Sequence, residues 1–122
     1  MAGGGKENSM SDCLFCKIAN HELDSSYIYE DDMIVAFNDI QPQAPVHFLV
    51  VPKKHIQSLD ALTDEDRELV AHIMLKIPEL AKEQGIETGY RVVVNNGPDA
   101  FQEVKHLHFH VLGKRKMTWP PG

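Results

Sequence analysis

Gln102-Glu-Val-Lys-His106-Leu-His108-Phe-His110-Val-Leu112 is the stretch on which the fold and the chemistry turn. Its histidines alternate strictly with apolar residues, and side chains in an extended chain point alternately to opposite faces. Period two therefore predicts a strand over residues 104–112, with His106, His108 and His110 on one face and Leu107, Phe109 and Val111 turned to a core. Same-face neighbours lie roughly 6.5–7 Å apart, so a phosphate-sized group above the row could meet more than one ring. A lone histidine here would be most simply a hydrogen-bonded core residue; three in alternation point to chemistry. They could be ligands of a catalytic zinc, or nucleophile and general acid around a phosphate. Alternation leaves both open.

Outward from this strand the pattern is of short strands and one long helix. Tyr90-Arg-Val-Val-Val94 reads as a strand followed by an Asn95-Asn-Gly97-Pro98 turn, and Tyr27-Ile-Tyr29 with Met33-Ile-Val-Ala-Phe37 as a hairpin around Glu30-Asp-Asp32. His47-Phe-Leu-Val-Val51 is a further strand, closed by Pro52. Thr63-Asp-Glu-Asp66 supplies a capping hydroxyl and carboxylates to a helix start. Leu69, Val70, Ile73, Met74, Ile77, Leu80 and Ala81 then recur at helical spacing up to a stop at Gly85, with Pro78 expected to kink or split the helix. Residues 13–20 read as a short helix or tight turn. Gly3-Gly4-Gly5-Lys6 lacks the spacing of a phosphate loop, so residues 1–12 are expected to be a disordered tail before one domain over 13–122.

The 122 residues, 43% of them hydrophobic, fit one compact domain able to bury a core unaided. Twelve Lys and Arg against 18 Asp and Glu give a net charge of -6, the wrong sign for bulk attraction to phosphate backbones, so nucleic acid is not the expected partner. No apolar run approaches the roughly 18 residues of a membrane helix, and the N-terminus lacks the apolar segment of a signal peptide. No membrane partner is expected, and the expected location is the cytoplasm, with the nucleus as a second one in a eukaryote. Cys13 and Cys16 are too few for a disulfide framework. Their Cys-x-x-Cys spacing is half of a zinc site, with a redox pair or two packed thiols as the other readings.

The histidine stretch, together with Asp39-Ile40, Ala44-Pro45-x-His47 through Pro52-Lys-Lys-His55, Gly89 to Asn95 and Trp119-Pro-Pro-Gly122, resembles the histidine triad (HIT) superfamily. Within it, the sequence is similar to the Hint branch, the purine nucleoside phosphoramidases. The resemblance implies an α+β fold with a five-stranded antiparallel sheet, one long and one short helix per subunit, and a homodimer. It implies hydrolysis of the P–N bond of adenosine 5'-phosphoramidate-type substrates through a nucleotidyl-histidine, releasing a nucleoside monophosphate, with no cofactor needed for the chemistry.

Matched residue by residue, His108 would be the nucleophile, and His110 would contact the phosphate and help protonate the departing amine. His106 and His47 would support the nucleophile, Asn95 would lie by the phosphate, and Asp39 would accept hydrogen bonds from the ribose. Leu14, Phe15, Ile18, Phe37 and Ile40 would sandwich the purine; without the resemblance each reads as plain core. Trp119 would reach the partner's active site rather than dock on its own subunit. Many proteins of this family with the Cys-x-x-Cys bind a structural zinc, here through Cys13, Cys16, His55 and His106. Where the family commonly has Ser after the glutamine, close to the phosphate and leaving group, this chain has Glu103; its carboxylate would repel the phosphate and tune the site, unless the strand is already extended there and parity turns it off the triad face. The competing readings are a nucleotide-binding, zinc-stabilised interaction protein without turnover, and a metallohydrolase with the triad as zinc ligands.

Overall fold

The computed structural model describes residues 12–122; the tail expected over residues 1–12 lies, but for Asp12, outside the described residues. A short helix, α1 (Leu14–Ala19), precedes a hairpin of β1 (Tyr27–Glu30) and β2 (Ile34–Asn38). Then come β3 (Val46–Pro52), the long helix α2 (Arg67–Glu83), β4 (Tyr90–Val93) and β5 (Phe109–Gly113). The five strands form one antiparallel sheet in the order β1-β2-β3-β5-β4, with the expected α+β architecture. The hairpin turn is organised by Asp31, whose Oδ1 accepts the N–H groups of Met33 and Ile34 at 2.8 and 3.0 Å. A short polar acceptor that replaces a strand partner is how Asp stabilises a turn.

Both faces of the central strands are covered, so β2 and β3 read as continuous apolar runs rather than as alternation. Ile34, Ala36, Phe48, Val50, Leu107, Phe109 and Val111 pack with Leu69, Ile73, Ile77, Leu80 and Ala81 of α2. Val35, Phe37, Leu49 and Val51 pack on the other face with Phe15, Cys16, Ile18 and Ala19 of α1. Six residues make a marginal helix by themselves, and α1 is held by this packing and by the Tyr27 hydroxyl, which donates to the Ile18 carbonyl at 2.7 Å.

Four local expectations are corrected. The last strand spans only Phe109–Gly113 rather than 104–112, because the chain bends at residues 104–106. Pro78 does not split α2; it and Met74, whose carbonyl loses the N–H partner, are both exposed, so water can replace the bond. Met74 is 47% exposed and lies off the core face. Pro52 does not close the third strand but belongs to it, paired opposite Ile34.

The capping expectation stands in a tighter form. Thr63 and Asp66 make a reciprocal capping box around a single turn of 3-10 helix (Asp64–Asp66) that leads into α2. At the far end Gly85 has φ 76, and the Ile86 N–H reaches back to the Ala81 carbonyl. Gly113 matters for a different reason: a Cβ there would sit 2.7 Å from Ile86 Cγ2 and 2.8 Å from its Cβ. Ile86 is buried and β-branched, so it cannot swing aside. Gly113→Ala should therefore cost about 1–3 kcal/mol of stability, read as a lower denaturant midpoint at unchanged m-value; an unchanged midpoint would refute the contact.

Candidate active site

A cavity of about 710 Å³ opens on the α1 face of the sheet. Phe15 and Ile18 of α1, Phe37 of β2, and Leu14 and Ile40 near its mouth form an apolar wall; Asp39, His47, Asn95, His108 and His110 bring polar groups. Leu14 and Ile40 are 43% and 89% exposed, so they are not the plain core residues that apolarity suggests. Solvent-exposed large apolar side chains beside polar groups are what a ligand site leaves open when empty.

The hydrogen bonds assign the protons on the rings. His108 Nδ1 lies 2.6 Å from the His106 carbonyl, which can only accept, so Nδ1 carries the proton and Nε2 keeps a lone pair. His47 Nδ1 accepts the Gln43 N–H at 3.0 Å, so in the neutral ring Nε2 carries the proton. That proton points to His110 Nδ1 at 2.9 Å, and the proton of a neutral His110 is thereby placed on Nε2. The chain Gln43, His47, His110 thus leaves a lone pair on one ring of the cavity and an N–H donor on its neighbour, with the His108 and His110 centroids 4.9 Å apart.

Burial keeps these rings neutral. His110 is lowered to about 4 by desolvation first, then by His108 and His47, with Asp39 pulling the other way. His47 and His108 are lowered for the same leading reason. Asp39 Oδ2 lies 3.4 Å from His47 Nε2, and its Oδ1 accepts the Gln41 N–H at 2.8 Å. A reaction that needs the neutral forms should keep its rate as pH falls through the ordinary histidine value of about 6.5 and lose it only in more acidic solution, as the first of the lowered rings takes up a proton. A pH–rate profile of kcat/KM checks this, and an acid limb centred near 6.5 would contradict it.

His106 separates from the other two. The chain bend drives it to full burial, away from the cavity, and its carbonyl rather than its ring serves His108. Its Nε2 donates to the Pro52 carbonyl at 2.8 Å, leaving the Nδ1 lone pair 3.2 Å from Cys13 Sγ and 3.4 Å from Cys16 Sγ. His55 Nδ1 completes the group, 3.2 Å from Cys16 Sγ, and its buried Nε2 has no partner. The four donor atoms all lie within 4.8 Å of one another, and the cluster can bind a metal ion. Two sulfurs and two imidazole nitrogens suit tetrahedral zinc, and a second-ring N–H held by a backbone carbonyl is the usual support for such a ligand. Burial, then Cys13 beside it, pushes the Cys16 thiol up to about 12, so a bound cation is what would make it a thiolate. Cys13 is the N-cap of α1 and accepts the Cys16 N–H at 3.3 Å, which explains the two-residue gap.

Tertiary contacts place three of the expected positions. Glu103 lines the cavity, since the chain is not extended there and strand parity does not apply. Trp119 is 80% exposed and lies outside this cavity, with the Arg91 guanidinium 5.9 Å above its ring, so it is not docked in its own core. The row of three rings does not form one site: two rings face the cavity and one faces the sulfurs. The reading also missed Gln43, which acts through its backbone N–H and so leaves no side-chain signal, and Gln102. The Gln102 side chain accepts the Gly97 N–H at 2.9 Å and donates to the Gln57 carbonyl at 2.8 Å.

Comparison with known proteins gives one answer throughout. A model of the HIT domain family matches residues 20–117. An uncharacterized HIT-like protein of Synechocystis is 48% identical over 91% of this chain and 97% of its own length. A HIT family hydrolase from Legionella pneumophila superposes with a TM-score of 0.89 at 49% identity, covering 91% of this chain and all of that one. A histidine triad protein from Clostridium difficile superposes at 0.84 with 53% identity, covering 88% and 94%.

Proposed function

The chain belongs to the HIT domain family, and from that premise we propose that it is a purine nucleoside phosphoramidase of the Hint type, with residues 13–122 acting as one domain. The observation that carries the reading is the proton assignment: a free lone pair on His108 Nε2 beside an N–H donor on His110, both in a cavity with an apolar wall. A flat purine fits between Leu14, Phe15, Ile18, Phe37 and Ile40, and the Asp39 carboxylate can accept from ribose hydroxyls. Asn95 and His110 then lie on the phosphate.

His108 Nε2 attacks phosphorus, an N–P bond forms to the imidazole, and the substrate P–N bond breaks with its electron pair leaving on nitrogen. The His106 carbonyl holds the ring in the attacking tautomer and stabilises the positive charge it gains. His110 Nε2–H donates to the phosphoryl oxygen or to the departing nitrogen, which takes up a proton from solvent. Water then attacks phosphorus, the imidazole leaves, and the proton that water sheds balances the one consumed. The nucleotidyl adduct on His108 is the species to trap: its P–N bond is acid-labile, so a rapid alkaline denaturing quench should yield it, and mapping to another residue would refute the assignment.

The Cys13, Cys16, His55 and His106 group would hold zinc as a closed structural site: all four positions are taken by protein, so the ion has no open place for substrate. It would fix the His106 backbone and so the carbonyl that orients His108. Among the described residues no helix is long and apolar enough to cross a membrane, which suits the cytoplasmic reading, and the net charge of -6 suits a small-molecule rather than a nucleic-acid partner.

A homodimer fits the unpaired edge of β4 and the exposed Met74 and Leu75 of α2, 47% and 71% accessible. Sedimentation should give twice the chain mass at micromolar concentration, and removal of residues 118–122 should alter substrate preference if Trp119 serves the neighbouring site. A monomer would refute the first, an unchanged preference the second.

A further inference from the structure

Resting on the phosphoramidase reading, we propose that the loop of residues 97–104 forms a leaving-group subsite selective for cationic amines, with Phe101 and Glu103 as specificity-determining residues. Both line the cavity that His108 and His110 face. His108 is only 6% exposed, and its Nε2 has no hydrogen-bond partner among the described residues, so the point of attack on phosphorus is marked from inside. The apolar wall comes from α1 and β2, with Val104 packed against it; the segment after β4 adds Asn95, Phe101 and Glu103 to the lining of the same cavity, and we assign the group joined to phosphorus to them.

The loop backbone between these two side chains is pinned. Gln102, between them, is tied to Gly97, Gln57 and Val104 by three hydrogen bonds of 2.8–3.1 Å. Phe101 has φ 63, a conformation uncommon for a bulky residue, and is 73% exposed. Its ring is thus presented at the cavity rather than buried in a core, and the face of an aromatic ring attracts cations.

Charge points the same way. Among the described residues lining the cavity, the acidic ones are Asp24, Asp39 and Glu103, with no Lys or Arg. Burial holds His47 and His110 neutral, so they do not offset the carboxylates. A leaving group that carries further phosphates would bring negative charge against Glu103, whereas an amine bearing an ammonium meets a carboxylate and a ring face together.

The test compares kcat/KM for adenosine 5'-phosphoramidates of three amines of equal length: one ending in an ammonium, one neutral, one ending in a carboxylate. At low ionic strength the cationic substrate should exceed the neutral one about fivefold and the anionic one should fall below it, with the spread shrinking as salt is added. Glu103→Gln should collapse the ranking to within about twofold. Phe101→Gly, whose backbone adopts φ 63 freely, should narrow the cationic preference. Equal efficiencies for the three amines at low salt, or a ranking that survives Glu103→Gln, would overturn the subsite while leaving the phosphoramidase reading in place. Hydrolysis of none of the three would overturn both.

Discussion

Replacing His108 with Ala or Asn should lower kcat on an adenosine phosphoramidate by at least about 10³-fold, which corresponds to roughly 4 kcal/mol of lost transition-state stabilisation. The expectation follows from the hydrogen bonds: His108 Nδ1 is committed to the His106 carbonyl at 2.6 Å, so only Nε2 can attack. No other ring offers the same thing. His106 is sealed among sulfurs, and His110 directs a proton rather than a lone pair at the cavity in its neutral form. Because His108 is buried against Phe15, with centroids 5.0 Å apart, the Ala variant also leaves a void. Asn is the control, since it can still donate to the carbonyl. Thermal unfolding separates the two effects: a folded Asn variant with near wild-type turnover would overturn the nucleophile assignment, and an inactive but folded one would support it.

The second large effect concerns the metal cluster. Purified under reducing conditions without a tag, the protein should carry one zinc per chain, and the double change Cys13→Ser with Cys16→Ser should remove it and cost several kcal/mol of stability. The cluster joins α1, the segment after β3 and the bend before β5, three pieces distant in the chain. Losing the ion should loosen the contact of α1 with the sheet and, with it, the apolar wall given by Phe15 and Ile18. Brief chelation should therefore lower the melting temperature more than the rate measured before unfolding. Loss of activity in step with the metal, at unchanged stability, would favour a catalytic ion; absence of metal from the wild-type protein would leave two packed thiols.

The apolar faces were the most legible part of the fold. Leu69, Ile73, Ile77, Leu80 and Ala81 all lie on the buried side of α2, as a period of 3.6 requires, and Leu107, Phe109 and Val111 all reach the core, as a period of two requires. Boundaries were less legible. Whether residues 104–108 extend or bend depends on bonds such as that of the Leu107 N–H to the Ile56 carbonyl at 2.6 Å, between residues far apart in the chain. Neither local propensity nor alternation carries that information. The same limit hid the placement of Glu103, whose orientation by parity presumes a strand that has not yet begun.

By itself, the sequence determined which residue types are available and how they alternate: three histidines at period two, a Cys-x-x-Cys, a capped amphipathic helix and a family resemblance dense enough to name candidate roles. Tertiary structure alone decided how the triad divides. The bend at residues 104–106 brings the His106 ring to the Cys13 and Cys16 sulfurs while its carbonyl turns to His108, and the Gln43 N–H orders the protons of His47 and His110. Three chemically identical side chains thus acquire three different environments. The physical reason is that a histidine's chemistry is set by which of its two nitrogens is bonded and how deeply it is buried, and both are properties of contacts between distant parts of the chain.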